Sequence, residues 1–448
     1  MRRLNAHGRR VGKAEILVSV LLLALAATAC ASARADAGSA SPAVDVLPPG
    51  NPPPLERPVP RPAPASVGDR SLATPDRSTA TTEASSAPPS DDPKVAAALG
   101  ALASDEDRVG QLLLLGWIGD TAEAARPTLR ELRPGGIVYV DNARLADDAR
   151  AINAALPSIA QEYGVLPPLI AVDHEGGTVQ RIRDVPNLGS NAEFAANAPS
   201  DRDACLRGQE HARQLRAMGF TMNLAPVLDV NNNPANPVIG PRSYGADPAL
   251  VVRLGSAYVR GLQGGGIAAV GKHFPGHGNT SVDSHVQLPS LPQTEAELEH
   301  IELVPFRRAI EPDTDIAALM SAHIVFPAVD PSGLPATLSY PIITGLLRQK
   351  LGFDGLVISD DLAGMRAITD NFAPGAAAVQ AVGAGVDMLI IGGGVPRQRE
   401  SRDALLGALA SGALSRQRVD DAVRHVLAVK ARFGLLGGAA AAGPGCGA

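Results

Sequence analysis

The sequence predicts an α/β fold, a (β/α)8 barrel forming one domain over residues 94–436. Two features predict it. Eight short apolar runs alternate with segments of helical character, the pattern of parallel strands each followed by a covering helix. Histidines and carboxylates gather just after those runs, at the strand ends where such barrels carry their functional groups. An open doubly wound sheet is the alternative, but no Gly-rich dinucleotide fingerprint follows the first run. No internal repeat of roughly 20–50 residues is present either.

The barrel does not begin at residue 1. Arg2, Arg3, Arg9, Arg10 and Lys13 precede an apolar core from Ile16 to Ala29, the layout of an export signal, and too short to cross a bilayer comfortably. The core ends in Ala27-Thr28-Ala29-Cys30. This resembles a bacterial lipobox with Ala27 where Leu is usual, so residues 1–30 are expected to be a signal peptide and Cys30 a lipidation site. Residues 31–93 are rich in Pro, Ala, Ser and Thr and hold too little apolar surface to offset chain entropy, so a disordered tether is expected. The chain would then be held on the outer face of the cytoplasmic membrane, or secreted if Cys30 is not modified.

Within the domain, strands are expected at Gln111–Leu115, Gly136–Val140, Leu169–Val172, Thr221–Asp229, Ala268–Gly271, Ala318–Ala322, Leu356–Ser359 and Asp387–Ile391. Helices are expected at Lys94–Val109, Leu145–Gln161, Ala249–Gln263, Thr294–Ile310, Tyr340–Leu351, Ala373–Val382 and Arg416–Arg432. Thr294 and Glu297 form a capping-box pattern that marks one helix start. Residues 437–448 read as a flexible Gly/Ala tail. Cys205 and Cys446 are the only other cysteines; no disulfide framework is expected, and Cys205 reads as a small, partly buried apolar residue.

Composition narrows the partners. A net charge of −6 and a pI near 5.9 leave no basic footprint for nucleic acid. Aromatic residues make up only 3%, against an aromatic-walled cleft for long polymers and in favour of a small ligand held by polar groups. A monomer is expected.

The densest chemistry lies between Lys272 and His285, where Lys272, His273, His277, Asp283 and His285 occur together. Pro275, Gly276 and Gly278 exclude a continuous helix, and the apolar run before them should deliver Lys272 and His273 at a strand end. Asp173-His174-Glu175, Asp229, His323 and Asp360-Asp361 follow other strands. Asp360 suits attack on an anomeric carbon, whereas Asp361 should point away from it on an extended backbone and is the better structural candidate. Asp283 and His285 are two apart and share a face, so the carboxylate can orient and charge-support the imidazole, which titrates near pH ~6.5. Metal binding is the rival reading of the histidines. Their spacing fits neither a His-Glu-x-x-His nor a Cys/His framework, and Lys272 would oppose a cation, so neither metal nor cofactor is expected.

Lys272–His285 resembles the Lys-His-Phe-Pro-Gly-His-Gly-x4-Asp-Ser-His signature of glycoside hydrolase family 3, in its β-N-acetylglucosaminidase branch. Agreement extends to Asp173–Gly177 with Gln180-Arg181, to Ile239–Ser243, to Met320–His323 and to Ile358–Leu362. The tether and lipobox resemble the exported lipoprotein members. The resemblance implies that Asp360 is a nucleophile, His285 the acid/base and Asp283 its partner. It also implies that Asp173, Arg181, Arg242, Lys272 and His273 bind a terminal N-acetylglucosamine (GlcNAc). Two departures stand out: Thr178 where Arg is common, and two residues, Ala363-Gly364, before Met365 where one is typical. The expected activity is a retaining exo-β-N-acetylglucosaminidase acting on GlcNAc-containing muropeptides without a cofactor. The alternatives are a phosphorylase that uses inorganic phosphate as acceptor and, more remotely, a non-catalytic cell-wall-binding lipoprotein.

Overall fold

The structure, a computed structural model, describes residues 92–116, 119–140, 144–440 and 445–446. The signal-peptide, Cys30 and tether expectations lie outside the described residues.

Eight parallel strands form one sheet: β1 (Leu113–Gly116), β2 (Gly136–Tyr139), β3 (Leu169–Val172), β6 (Met222–Asn223), β7 (Ala268–Phe274), β8 (Ala318–Ser321), β9 (Leu356–Ser359) and β10 (Leu389–Ile391). They follow one another in chain order, with β10 paired to β1. A parallel bridge from Ile358 to Met388 joins β9 to the start of β10 and closes the barrel. A small antiparallel hairpin, β4 (His174–Gly176) with β5 (Val179–Gln180), stands after β3. All eight expected strands are present, and helices cover them.

The near-continuous apolar strands follow from burial on both faces. Leu114, Val138, Leu169, Ala171, Val270, Met320, Ile358 and Ile390 fill the barrel interior. Their alternating neighbours, among them Leu113, Leu115, Ile137, Ile170, Val357 and Leu389, pack under the helices, as the two-residue period of a strand requires. Helix Arg416–Arg432 adds Val426 and Val429 to the interior cluster.

Several boundaries differ from expectation for identifiable reasons. The fourth barrel strand, expected to run to Asp229, pairs regularly only at Met222–Asn223, because Pro226 has no N–H for the ladder. The chain nonetheless stays beside β7, with the Leu228 N–H donating to Lys272 O at 2.7 Å. The helix expected over Lys94–Val109 is two helices, Pro93–Ala101 and Asp105–Gln111, the second capped by a Ser104–Asp107 capping box. Thr294–Ile310 is likewise broken between Glu295–His300 and Leu303–Ile310, since Pro305 cannot donate back across the gap. Thr294 caps the first piece as expected. Pro341–Lys350 winds as a π-helix, and the long helices Asp201–Ala217 and Val395–Ser411 supply the cover after β3 and β10.

The cysteine reading is corrected. Cys205 and Cys446 form a disulfide, with Cα atoms 5.5 Å apart across a sequence separation of 241 residues. Cys205 is a crosslink on helix Asp201–Ala217, and the Gly/Ala tail is tied back at Cys446. Two distant cysteines carry no spacing signal, so only the fold could bring them together.

Candidate active site

The functional groups expected from sequence converge at the C-terminal ends of the barrel strands. Asp173, Arg181, Arg242, Lys272, His273, His285 and Asp360 all line one cavity of about 680 Å³, within the range of roughly 300–1,000 Å³ usual for small-molecule sites. Leu224, Met320 and Ile390, from the barrel interior, also line it.

One wall is a chain of alternating charges. Lys272 lies towards the C-terminal end of β7, where the apolar run before it should deliver it. Its Nζ donates to Asp173 Oδ1 at 2.7 Å and lies 2.6 Å from Glu175 Oε1. The second oxygen of Asp173 accepts from Arg181 Nη2 at 3.0 Å. Glu175 takes both arms of Arg242, Nε at 2.9 Å and Nη2 at 2.7 Å. Burial works to raise the Glu175 carboxyl, but Arg242 and Lys272 outweigh it and keep it ionised. Burial works to deprotonate Lys272, and Asp173 and Glu175 outweigh that too, so it stays charged.

His273 is oriented from behind. Its Nδ1 lies 2.7 Å from Asp229 Oδ2, and Asp229 Oδ1 accepts the backbone N–H groups of His273 and His277 at 3.1 and 2.7 Å. Burial would raise the Asp229 carboxyl, but His273 lowers it further. With Asp229 ionised, Nδ1 is the donor and Nε2 is left for the cavity.

Asp360 follows β9 directly. Burial raises its carboxyl, while the surrounding imidazoles of His323, His273 and His285 lower it more, leaving an ionised carboxylate. Asp361 faces elsewhere: its Oδ1 accepts the N–H groups of Gly392, Ala363 and Gly364 at 2.8–3.0 Å and pins the segment after Asp360 to the end of β10. Buried His323 lies behind, with Nδ1 2.9 Å from Thr337 Oγ1 and Nε2 3.3 Å from the Asp361 carbonyl.

His285 is the exposed member of the set, its side chain 60% accessible, with Nδ1 2.8 Å from Asp283 Oδ1. Asp283 also accepts the His285 backbone N–H at 2.8 Å. Burial raises the Asp283 carboxyl, but these bonds from His285 lower it below the usual carboxylate range. The loop behind the pair is built by His277, whose Nδ1 meets Thr280 Oγ1 and whose Nε2 meets Ser284 Oγ, each at 3.0 Å. Burial pushes His277 down to about 4, so it is neutral. The loop needs glycine at 278, where a Cβ would lie 1.7 Å from the Val230 carbonyl oxygen. Its far end is tied to the segment after Asp360: Arg366 and Ala367 donate N–H groups to the carbonyls of His285 and Ser284, each at 3.2 Å. Among the described residues, no three His, Cys, Asp or Glu side chains converge as a metal-ligand set.

Residues 105–429 match the family model for the N-terminal domain of glycosyl hydrolase family 3. The chain belongs to glycosyl hydrolase family 3. It is 35% identical over 342 residues to the β-hexosaminidase LpqI of Mycobacterium tuberculosis, covering 75% of this chain and 84% of that one. It is 33% identical over 320 residues to β-hexosaminidase A of Pseudoalteromonas piscicida, covering 67% of this chain but 53% of that protein. Among solved structures, a family 3 β-N-acetylglucosaminidase from Paenibacillus sp. FPU-7 superposes with a TM-score of 0.72 at 44% identity, over 75% of this chain and 64% of that one. The family 3 chain thus spans about half to five-sixths of the length of these relatives. Glu175 and Asp229 are site residues that the sequence places at strand ends without a role; their roles come from the fold. Glu175 stood inside a recognised motif, but nothing in the sequence placed it against Arg242 and Lys272.

Proposed function

We propose that this family 3 chain is a retaining exo-β-N-acetylglucosaminidase that removes non-reducing terminal GlcNAc from peptidoglycan fragments, the muropeptides. The observation that carries the reading is a carboxylate kept ionised, Asp360, lining the same cavity as an imidazole backed by its own carboxylate, His285 with Asp283. The terminal sugar would sit against Asp173, Arg181, Arg242, Lys272 and His273, whose charges and fixed donors suit hydroxyl groups. A cavity floored by the barrel interior favours a chain end over a chain middle, and the β-hexosaminidase names of the relatives support the sugar.

In the first step an Asp360 oxygen attacks the anomeric carbon while the bond to the leaving oxygen breaks. That oxygen takes the proton on His285 Nε2, and Asp283, accepting from Nδ1–H, supports the imidazolium until then. In the second step water attacks the same carbon, its proton passes to Nε2, and the Asp360 carboxylate departs. Two inversions retain the β configuration. The same reading places the protein outside the cytoplasmic membrane, anchored through Cys30.

The test is time-resolved NMR of the products from a β-linked GlcNAc muropeptide. β-GlcNAc should appear first from wild type, and Asp360→Asn should lower kcat by at least about 10³-fold. An α-anomer as first product, or an active Asp360→Asn, overturns the reading. GlcNAc-1-phosphate in phosphate buffer would point to the phosphorylase alternative, which a neutral histidine in place of a carboxylate acid/base permits.

A further inference from the structure

We infer that Glu175 is a positioning residue of the sugar site, holding Arg242 and Lys272 in one shared geometry and setting which of their N–H groups meet the substrate. This rests on the proposed GlcNAc site, because the cations it holds are those expected to bind the sugar. Glu175 leaves the hairpin β4 with its side chain only 2% accessible. The hairpin is forced into place by Gly176, at φ 95°, where a Cβ would lie 2.5 Å from the Gly189 carbonyl oxygen.

From there Glu175 reaches two elements at once. Arg242 comes from the turn Gly240–Arg242, and Lys272 from β7. Arginine has five N–H donors in a rigid fork, and the fork is fixed by the bidentate contact with Glu175. One further N–H leans on the Val238 carbonyl at 3.4 Å, so two remain. Lysine has three donors on a freely rotating ammonium, and Glu175 and Asp173 occupy two of them. The third is thereby aimed. A flexible point donor becomes a directed one, and directed donors at fixed spacing are what distinguish one arrangement of sugar hydroxyls from another.

The charges facing these groups are few. Lys272 feels Asp173, Glu175 and Arg242; Glu175 feels Arg242 and Lys272. Arg242 also feels Asp173 and Asp229, and Asp173 already binds Arg181; without Glu175, Arg242 would lose its bidentate partner and Lys272 part of what keeps it protonated against burial.

The experiment is steady-state kinetics of wild type, Glu175→Gln and Glu175→Asp on a chromogenic β-GlcNAc substrate, from acid to alkaline pH. Glu175→Gln should raise KM about 10-fold or more with a smaller change in kcat. It should also move the alkaline limb of 1/KM, where Lys272 loses its proton, to lower pH by about one unit. Glu175→Asp keeps the charge but is too short to hold both cations; it should raise KM while leaving the alkaline limb near its wild-type position, and it carries the test if Glu175→Gln does not fold. A lowered kcat with unchanged KM and an unmoved limb in both variants marks a merely structural residue and overturns the inference. Wild type that turns over no GlcNAc glycoside overturns the proposed function first, and the two failures are thus told apart.

Discussion

At the scale of single residues, the site depends on carboxylates that touch other side chains. Asp229 is the clearest case. It is fully buried, and its two oxygens fix both the ring and the backbone of His273. In Asp229→Asn, the amide oxygen can keep the two backbone N–H groups only by turning its NH2 towards His273 Nδ1. The ring must then present a bare Nδ1 to that amide and carry its proton on Nε2, which faces the cavity. The expected result is a loss in kcat/KM of roughly 10-fold or more with the fold retained, measured by kinetics alongside circular dichroism. Residues of this kind were only partly legible in the sequence. Asp283 and His285 stand two positions apart and Asp360 directly follows an apolar strand run, so their chemistry could be read from local sequence. Glu175 and Asp229 act across 67 and 44 residues of chain, and no local pattern encodes a contact of that reach.

At the scale of elements, the segment from His277 to His285 and the segment from Asp360 to Ala367 behave as one piece. His277 grips Ser284 from below, while Arg366 and Ala367 hold the carbonyls of His285 and Ser284. The position of His285, the proposed acid/base, is therefore set by two buried or backbone-held anchors, although its own side chain is exposed. Ser284→Ala should misplace the imidazole while leaving the sugar contacts intact. We expect kcat to fall by roughly 10-fold at nearly constant KM. The fall should be steeper for substrates with poor leaving groups, which need the proton most; an equal loss across a leaving-group series would rule this out. The departure at Ala363-Gly364, conspicuous in the sequence, falls in this linkage: the Ala363 and Gly364 N–H groups are two of the three that Asp361 accepts. Its position was legible, but its role required the fold.

At the scale of the whole molecule, the barrel was legible because eight two-sided strands leave a strong apolar signal, and the misses came where proline or capping chemistry cut an element short. The opposite end of the barrel holds a buried charge cluster no pattern announced. Asp387, fully buried, binds Arg348, accepts from Arg418 Nη2 at 2.8 Å and from the Val357 N–H at 2.9 Å, and lies 3.1 Å from His425 Nδ1. Burial would raise its carboxyl, yet Arg348 and His425 hold it far below the usual carboxylate range. Its folded pKa is below its unfolded value, so the stability it contributes is present above about pH 4 and is lost as pH falls towards the folded value. Asp387→Asn should destabilise by about 3–5 kcal/mol at neutral pH. The variant should also lack part of the wild-type decline in Tm below about pH 4; an unchanged acid slope would count against this cluster. The crosslink between Cys205 and Cys446 has a different kind of consequence. Such bonds persist in oxidising surroundings and are rare where glutathione keeps thiols reduced. The molecule therefore carries a chemical record of where it matured. Protein made in a reducing cytosol should be two hydrogen atoms heavier, react after denaturation with two more equivalents of a thiol reagent, and lose its tail to proteolysis more readily than the same chain passed through an oxidising compartment.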